Sequence, residues 1–277
     1  MSAPLGIFAS GGDLPFAIAE SAREAGRDVF VVALTGSAGE WVNAFPHEWV
    51  SLGEAGKVIK ALHGAGCVEV VLAGKLARPK FRDIKLDAKA VLIAPRLIAA
   101  ARKGDDALLR AVGEHFEREG FRLVGVHEAA PGLLAQSGVM GRIKPSSDDE
   151  EDIAVAFKVV RAMGTLDIGQ AAVVCEGLTL AVEAAEGTDA MIARVASLPE
   201  HLRGTAEKRR GVLVKAAKPI QDRRIDLPVI GVQTVRNAAA VGLKGIALEA
   251  GGALVVGRSA VIAEADKLGL FVAGVAG

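Results

Sequence analysis

Apolar positions in the first third of the chain come alternately as short unbroken runs and as spaced residues. Leu5-Gly-Ile-Phe-Ala9 predicts a buried strand over 5–9, and Ser10-Gly-Gly-Asp-Leu-Pro15 a turn leading into a helix over 15–25. Pro15 suits a first helical turn, where an amide has no intrahelical acceptor. Further strands are predicted at 28–34 and 68–72, with helical spacing around 54–63 between them. Residues 84–116 carry Leu and Ala at mostly helical intervals, and 123–126 reads as a later strand. Strands alternating with helices imply a parallel sheet, so this half is Rossmann-like.

The pattern breaks between 128 and 152, where Pro131, Gly132, Gly138, Gly141, Pro145, Ser146 and Ser147 precede the acidic run 148–152. Ile153, Phe157 and Val160 follow at helical spacing, which makes these acids the first turn of a helix rather than a disordered tail. The expected organisation is an N-terminal domain at 1–135, a linker at 136–150 and a catalytic C-terminal domain at 151–277. Strands in the last are predicted at 171–174, 178–182, 212–214, 245–248, 253–256 and 271–275. The fold class is therefore α/β in two domains, a Rossmann-like parallel sheet followed by a second α/β domain.

Composition narrows the chemistry. Lys+Arg and Asp+Glu both number 33, so no net field draws the chain to nucleic acid, and any anion site must be local. At 4% aromatic with no Tyr, a stacking platform for single strands is not expected. The two cysteines, Cys67 and Cys175, lie far apart in apolar surroundings and read as buried thiols, and the five histidines form no zinc pattern. No apolar run reaches the length of a membrane span and the start lacks a signal-peptide pattern, giving a cytosolic expectation.

The densest chemistry lies in Lys218-Pro-Ile-Gln-Asp-Arg-Arg-Ile-Asp226-Leu-Pro228. The prolines oppose a long helix, and Ile225 offers little core. Asp222 and Asp226 are acceptors suited to a hard cation such as Mg²⁺, while Lys218, Arg223 and Arg224 suit phosphate oxygens. A solvated loop with internal ion pairs is the plainer reading. Gly11 and Gly12 would let a ligand approach the backbone at the start of the first helix. No acid ends the second strand to hold a ribose, so a nucleotide sugar suits that turn better than NAD, and no Walker loop exists. Lys75 and Arg78 follow the third strand at the ligand-binding end of the sheet, as phosphate ligands or as simple surface charge. Of the neighbours Asp105 and Asp106, one at most is functional, and a helix cap is the alternative. Gln170, Glu183, Thr188 and Asp189 gather around a turn into a short helix, which Thr188 or Asp189 would otherwise cap. Glu183 sits among apolar residues and needs a cation or ligand partner; Lys215 and Lys218 follow the strand at 212–214.

Taken together, Gly11-Gly12-Asp-Leu-Pro15, Ala73-Gly-Lys-Leu-Ala-Arg-Pro79, Gly104-Asp-Asp-Ala-Leu-Leu-Arg110, Asp167-Ile-Gly-Gln170, Glu186-Gly-Thr-Asp-Ala-Met191 and the run 215–228 closely resemble the UDP-2,3-diacylglucosamine pyrophosphatases of the LpxI type. The resemblance spans nearly the whole chain. Phe8-Ala-Ser10 departs from a Gly-richer run, and Ile220 stands where Gly is common.

What the resemblance implies is a two-domain enzyme of lipid A synthesis that binds its lipid substrate, UDP-2,3-diacylglucosamine, between the domains. Water and substrate would give UMP and 2,3-diacylglucosamine 1-phosphate (lipid X), with attack on the sugar-side phosphorus. The cofactor would be Mg²⁺, with Mn²⁺ as the alternative. Asp226 and Asp222 are the expected catalytic carboxylates, with Asp226 and Glu183 as metal ligands. Gly11, Gly12, Lys75, Arg78, Asp105, Gln170, Thr188, Asp189, Lys215, Lys218 and Gln221 are the expected substrate-binding set. A substrate with two acyl chains resides in a bilayer, so a cytoplasmic protein touching the inner face of the inner membrane is expected, and a homodimer is left open. A sugar-nucleotide transferase and a non-catalytic lipid or nucleotide carrier are the rival readings. The first needs an acceptor; the second binds without turnover.

Overall fold

A computed structural model of the chain describes residues 3–75 and 84–276, apart from the side chain of Asp105. It forms two compact units, Met1–Gly132 with Arg224–Asp226, and Leu133–Arg223 with Leu227–Gly277. The chain thus returns to the first unit for three loop residues, one of them Asp226.

In the first unit β1 (Leu5–Ala9), α1 (Leu14–Glu24), β2 (Val29–Leu34), β3 (His47–Val50), α2 (Ala55–Gly64) and β4 (Glu69–Ala73) follow in order. They are succeeded by α3 (Ala88–Ala101), α4 (Asp105–Arg118), β5 (Arg122–Leu123) and α5 (Val126–Ala129). The strands form one parallel sheet in the order β3-β2-β1-β4-β5. Successive residues of β1 and β2 are buried whichever way they point, so both faces are covered, as parallel sheets require.

Three details depart from the sequence expectations. β3 has only Val50 fully buried, and such a polar edge strand leaves no apolar run to read. The helical stretch at 84–116 is interrupted at Gly104, whose φ of 132° is accessible only to glycine. The strand expected at 123–126 stops at Leu123, because the Gly125 N–H donates to Glu128 Oε1 (3.4 Å) and opens α5 instead.

The second unit contains β6 (Gly138–Val139), α6 (Ser147–Thr165), β7 (Ala171–Cys175), β8 (Leu178–Val182), α7 (Gly187–Val195) and β9 (Val212–Lys215). After the loop at 216–228 come β10 (Val229–Ile230), α8 (Val232–Ala240), β11 (Gly245–Glu249), β12 (Leu254–Val255), α9 (Arg258–Leu268) and β13 (Phe271–Val275). The main sheet has the order β6-β13-β11-β9-β7-β8 and is mixed. β9, β11 and β13 run parallel, while β7, β8 and β6 are each antiparallel to a neighbour. Alternation along β9 divides two cores: Val212 and Val214 pack with Ile153, Phe157 and Val160 of α6, whereas Leu213 packs with Met191, Ile192 and Val235 of α7 and α8. Residues 136–150, expected to link domains, carry β6 and the cap of α6 within this unit.

The acidic run does open a helix. Asp149 accepts from the Ser146 N–H (2.7 Å) and lies 2.7 Å from Lys244 Nζ, and Asp152 accepts from Glu176 and Gly177 N–H groups in the β7–β8 turn. Burial alone would raise the Asp149 pKa, but Lys244 and the Ser146 donors outweigh it and hold the carboxyl below its ordinary 3.8. A carboxylate depressed in the folded state stabilises above its unfolded pKa and loses that contribution as pH falls through the folded one. Asp149→Ala is therefore expected to cost about 1–2 kcal/mol near neutral pH. Urea unfolding of both proteins across the acid range should show that difference vanish once Asp149 protonates; a difference constant with pH would assign the cost to packing.

Candidate active site

In the first unit, the sheet order reverses on either side of β1, which makes the carboxyl ends of β1 and β4 the topological switch point where open α/β sheets bind ligands. The loops leaving these strands are joined: Gly11 N–H donates to the Lys75 carbonyl (3.0 Å) and Lys75 N–H to the Gly11 carbonyl (2.7 Å). Gly74 permits this with a φ of 107°, and a Cβ there would lie 2.6 Å from Ser10 Oγ and 2.7 Å from the Gly11 carbonyl oxygen. Gly12, also at positive φ, turns the chain into α1, whose first amides face the same end. Gly11, Gly12 and Lys75 are thus brought together. Arg78 lies outside the described residues, as does the side chain of Asp105. Gly104 occupies the N-cap of α4, so neither Asp105 nor Asp106 caps it, and Asp106 pairs with Arg110 (2.9 Å) one turn on.

In the second unit, antiparallel β7 lies between β8 and β9, so the start of β7 meets the ends of both neighbours. Gln170, Glu183 and Lys215 occupy those three strand ends. The Gln170 N–H donates to Glu183 Oε2 (3.2 Å), Thr188 donates its hydroxyl to Glu183 Oε1 (2.7 Å), and Lys215 Nζ donates to Thr188 Oγ1 (2.8 Å) and the Val229 carbonyl (3.1 Å). Lys215 and Glu183 are only 4% and 7% exposed, where an isolated charge would be very costly, so the hydroxyl between them serves both. Gly169 fits only as glycine, because a Cβ would lie 2.1 Å from the Glu183 carbonyl oxygen. Gln170 Oε1 is buried with no hydrogen-bond partner, while the N–H of the same residue donates to Glu183.

Beyond β9 the polar loop turns rather than coils into helix. Lys218 Nζ reaches Asp167 Oδ1 (2.6 Å), and Asp167 itself holds a φ of 55°, a conformation that non-glycine residues adopt at a cost. The Lys218 N–H donates to Gln221 Oε1 (3.0 Å). Glu249 at the end of β11 accepts from the Ala217 N–H (2.9 Å) and from Arg223 (2.8 Å), fastening the loop to the sheet. Asp222 lies on the same loop, half-buried. Asp226 follows Ile225, which packs on Gly113 and Leu123 of the first unit, where Arg224 also pairs with Glu117 (2.8 Å). Ile225, read from sequence as having little core to bury, is packed into the first unit's core and so anchors the backbone next to Asp226.

Gln170, Glu183, Thr188 and Lys215 therefore form one cluster, with Lys218 and Gln221 in the adjoining loop. Asp189 turns elsewhere, accepting from Asn237 of α8 (2.9 Å). Neither Thr188 nor Asp189 is the cap of α7, since Glu186 holds that position. Sequence reasoning missed Asp167 and Glu249. Each had a signal: Asp167 opens one of the quoted motifs, and Glu249 ends an apolar strand before Ala-Gly-Gly. Among the described residues there is no group of three or more His, Cys, Asp or Glu placed to hold a metal. Glu183 directs its two oxygens to Gln170 and Thr188.

A cavity of about 440 Å³ runs between α6 and the end of β13, on the face of the sheet opposite Lys215, lined mainly by apolar groups including Ile153, Ala154, Phe157 and Val275, with Arg161 and Glu150 among them. β13 runs parallel to β11 and β9, so Val275 ends at the same edge of the sheet as Glu249 and Lys215.

A Gly-rich turn at the switch point of a parallel sheet, and a buried lysine paired through Thr188 with a buried glutamate at the strand ends of a second, mixed sheet, define a two-unit α/β protein. Family models agree on which: residues 4–133 match the LpxI N-terminal domain and 136–273 the LpxI C-terminal domain. The chain belongs to the LpxI family. It is 52% identical over 271 residues to the UDP-2,3-diacylglucosamine pyrophosphatase LpxI of Caulobacter vibrioides, covering 98% of this chain and 97% of that protein.

The joined loops give a direct test. Gly74→Ala places a side chain at positive φ against Ser10 and Gly11, and should destabilise the protein by about 2 kcal/mol or more. Thermal unfolding should register the loss, and wild-type stability in this variant would show that the joined loops accept a side chain at that position.

Proposed function

We propose that the protein hydrolyses the diphosphate of UDP-2,3-diacylglucosamine to UMP and 2,3-diacylglucosamine 1-phosphate in lipid A synthesis. Identity to the relative of that name along almost the whole chain supports the substrate. The single observation that carries the chemistry is the buried Lys215–Thr188–Glu183 relay beside the unpartnered Gln170 oxygen. A structural ion pair would have no need of an orphaned acceptor next to it, whereas a site awaiting a ligand donor would.

Lys215 and Lys218 are proposed to bind diphosphate oxygens, with Glu183 through Thr188 and Asp167 directly fixing the two ammonium groups. Lys75 is proposed to contact the nucleotide phosphate near Gly11 and Gly12 and Arg78 to bind phosphate as well, with Gln170 and Gln221 orienting the ligand by hydrogen bonds. Asp226 orients the attacking water, and Asp222 supports it as a second carboxylate. Water attacks the sugar-side phosphorus, its oxygen forming the new P–O bond as the bond to the UMP oxygen breaks. Mg²⁺, or Mn²⁺ in its place, would be held by Asp226 with substrate oxygens and would stabilise charge on the departing phosphate. The cavity lined by Phe157 and Val275 suits an acyl chain. The protein would work at the cytoplasmic face of the inner membrane.

Product analysis by mass spectrometry, with and without a chelator, tests the reading. UMP and the lipid monophosphate should form from substrate and water alone and cease when the divalent ion is removed; tight lipid binding without turnover would favour a carrier. In ¹⁸O-labelled water the label should enter the lipid product, and label found only in UMP would move the attack to the uridine-side phosphorus.

Asp226→Ala should lower kcat by about a hundredfold or more while substrate still binds, since it removes a group needed chiefly in the transition state. Lys215→Ala and Lys218→Ala should each cut kcat/KM by at least about tenfold, the worth of one charge-assisted hydrogen bond to phosphate. Steady-state kinetics on folded variants decides both, and near wild-type values would remove those residues from the mechanism.

A further inference from the structure

α3 is anomalous for a helix of a globular unit. Only Ala90 and Ala101 are buried, while Val91, Leu92 and Ile98 are 55%, 79% and 38% exposed. Pro95 and Ala99 are exposed as well. At 100° per residue, Val91, Leu92, Pro95, Ile98 and Ala99 fall on one side of the helix, so these exposures form a continuous apolar stripe rather than scattered residues. Leu86, just before the helix, adds a further 43%-exposed side chain. A stripe of this kind on a soluble protein marks an interaction surface.

Its flanks are basic. Residues 85–103 hold Lys85, Lys89, Arg96, Arg102 and Lys103 against one acid, Asp87. Lys89 and Arg96 pair with Glu119 and Glu114 of the α4 region, and Asp87 accepts from the Ala90 and Gly56 N–H groups. Lys85, Arg102 and Lys103 remain exposed at the two ends of the stripe. An apolar face bordered by lysine and arginine is the pattern of a helix that lies in a membrane interface, with side chains among acyl groups and cations among anionic headgroups.

We propose that α3 is the face by which the protein docks on an anionic lipid bilayer, an inference that rests on the substrate being a diacyl lipid held in such a bilayer. Among the described residues no helix is long and apolar enough to cross a membrane, so a surface contact must supply the access. Charge complementarity selects the bilayer over a second copy of this chain: two such faces would bring Lys85, Arg102 and Lys103 against their own kind.

Flotation of the full-length protein with substrate-free vesicles tests this independently of catalysis. Wild type should float with phosphatidylethanolamine–phosphatidylglycerol vesicles, far less with phosphatidylcholine alone, and less at high salt. The triple variant Val91→Ser, Leu92→Ser, Ile98→Ser, and separately Arg102→Glu with Lys103→Glu, should each reduce partitioning by about tenfold or more. Both should keep wild-type circular dichroism and turnover of detergent-dispersed substrate. Absence of wild-type binding to anionic vesicles overturns the proposal, as does undiminished binding of the triple variant. If the triple variant instead loses a dimer in sedimentation velocity with vesicle binding intact, the face belongs to a second copy. If its KM for detergent-dispersed substrate rises while vesicle binding is unchanged, the face holds the substrate's own chains, which equally overturns docking.

Discussion

The ammonium of Lys215, at the end of a strand and almost fully removed from water, is the constraint around which the second unit is arranged. A buried cation needs a counter-charge and hydrogen-bond acceptors, and both arrive through the antiparallel placement of β7. That strand brings Gln170 and, through β8, Glu183 to the end of β9, and α7 then delivers the Thr188 hydroxyl between acid and base. If β7 ran parallel to β9, its start would lie at the opposite edge and Glu183 would have no cation nearby. The mixed sheet is therefore part of the site's electrostatics.

The same logic extends to the loop after β9. Its charges are individually tethered, Lys218 to Asp167 and Arg223 to Glu249, so their side chains would lose little further freedom on meeting the proposed diphosphate. Asp167 at positive φ and Gly169 against the Glu183 backbone show that the turn before β7 is strained and tightly fitted, as is common where geometry serves binding.

The first unit solves a different problem. Its parallel sheet leaves backbone amides at the carboxyl ends of β1 and β4, and the Gly11–Lys75 bridge satisfies some while fixing the turn that leads to α1.

Local pattern was enough for much of this. The run Leu5–Ala9, the breaker Gly11-Gly12 and the spacing into α1 specify a βα unit, because strand and helix periodicities and glycine's freedom act over neighbouring residues. The motifs around Lys75, Gln170, Thr188 and Lys218 marked the polar groups, and Glu183 was recognisable as an acid in an apolar context that needed a partner. What sequence could not supply was the partner. That the Thr188 hydroxyl stands between Glu183 and Lys215, that Asp167 and Glu249 hold Lys218 and Arg223, and that Ile225 carries Asp226 into the first unit all depend on strand order and on contacts between residues distant in the chain. Such contacts arise from packing two sheets with their helices, and chain-local propensity contains no term for them.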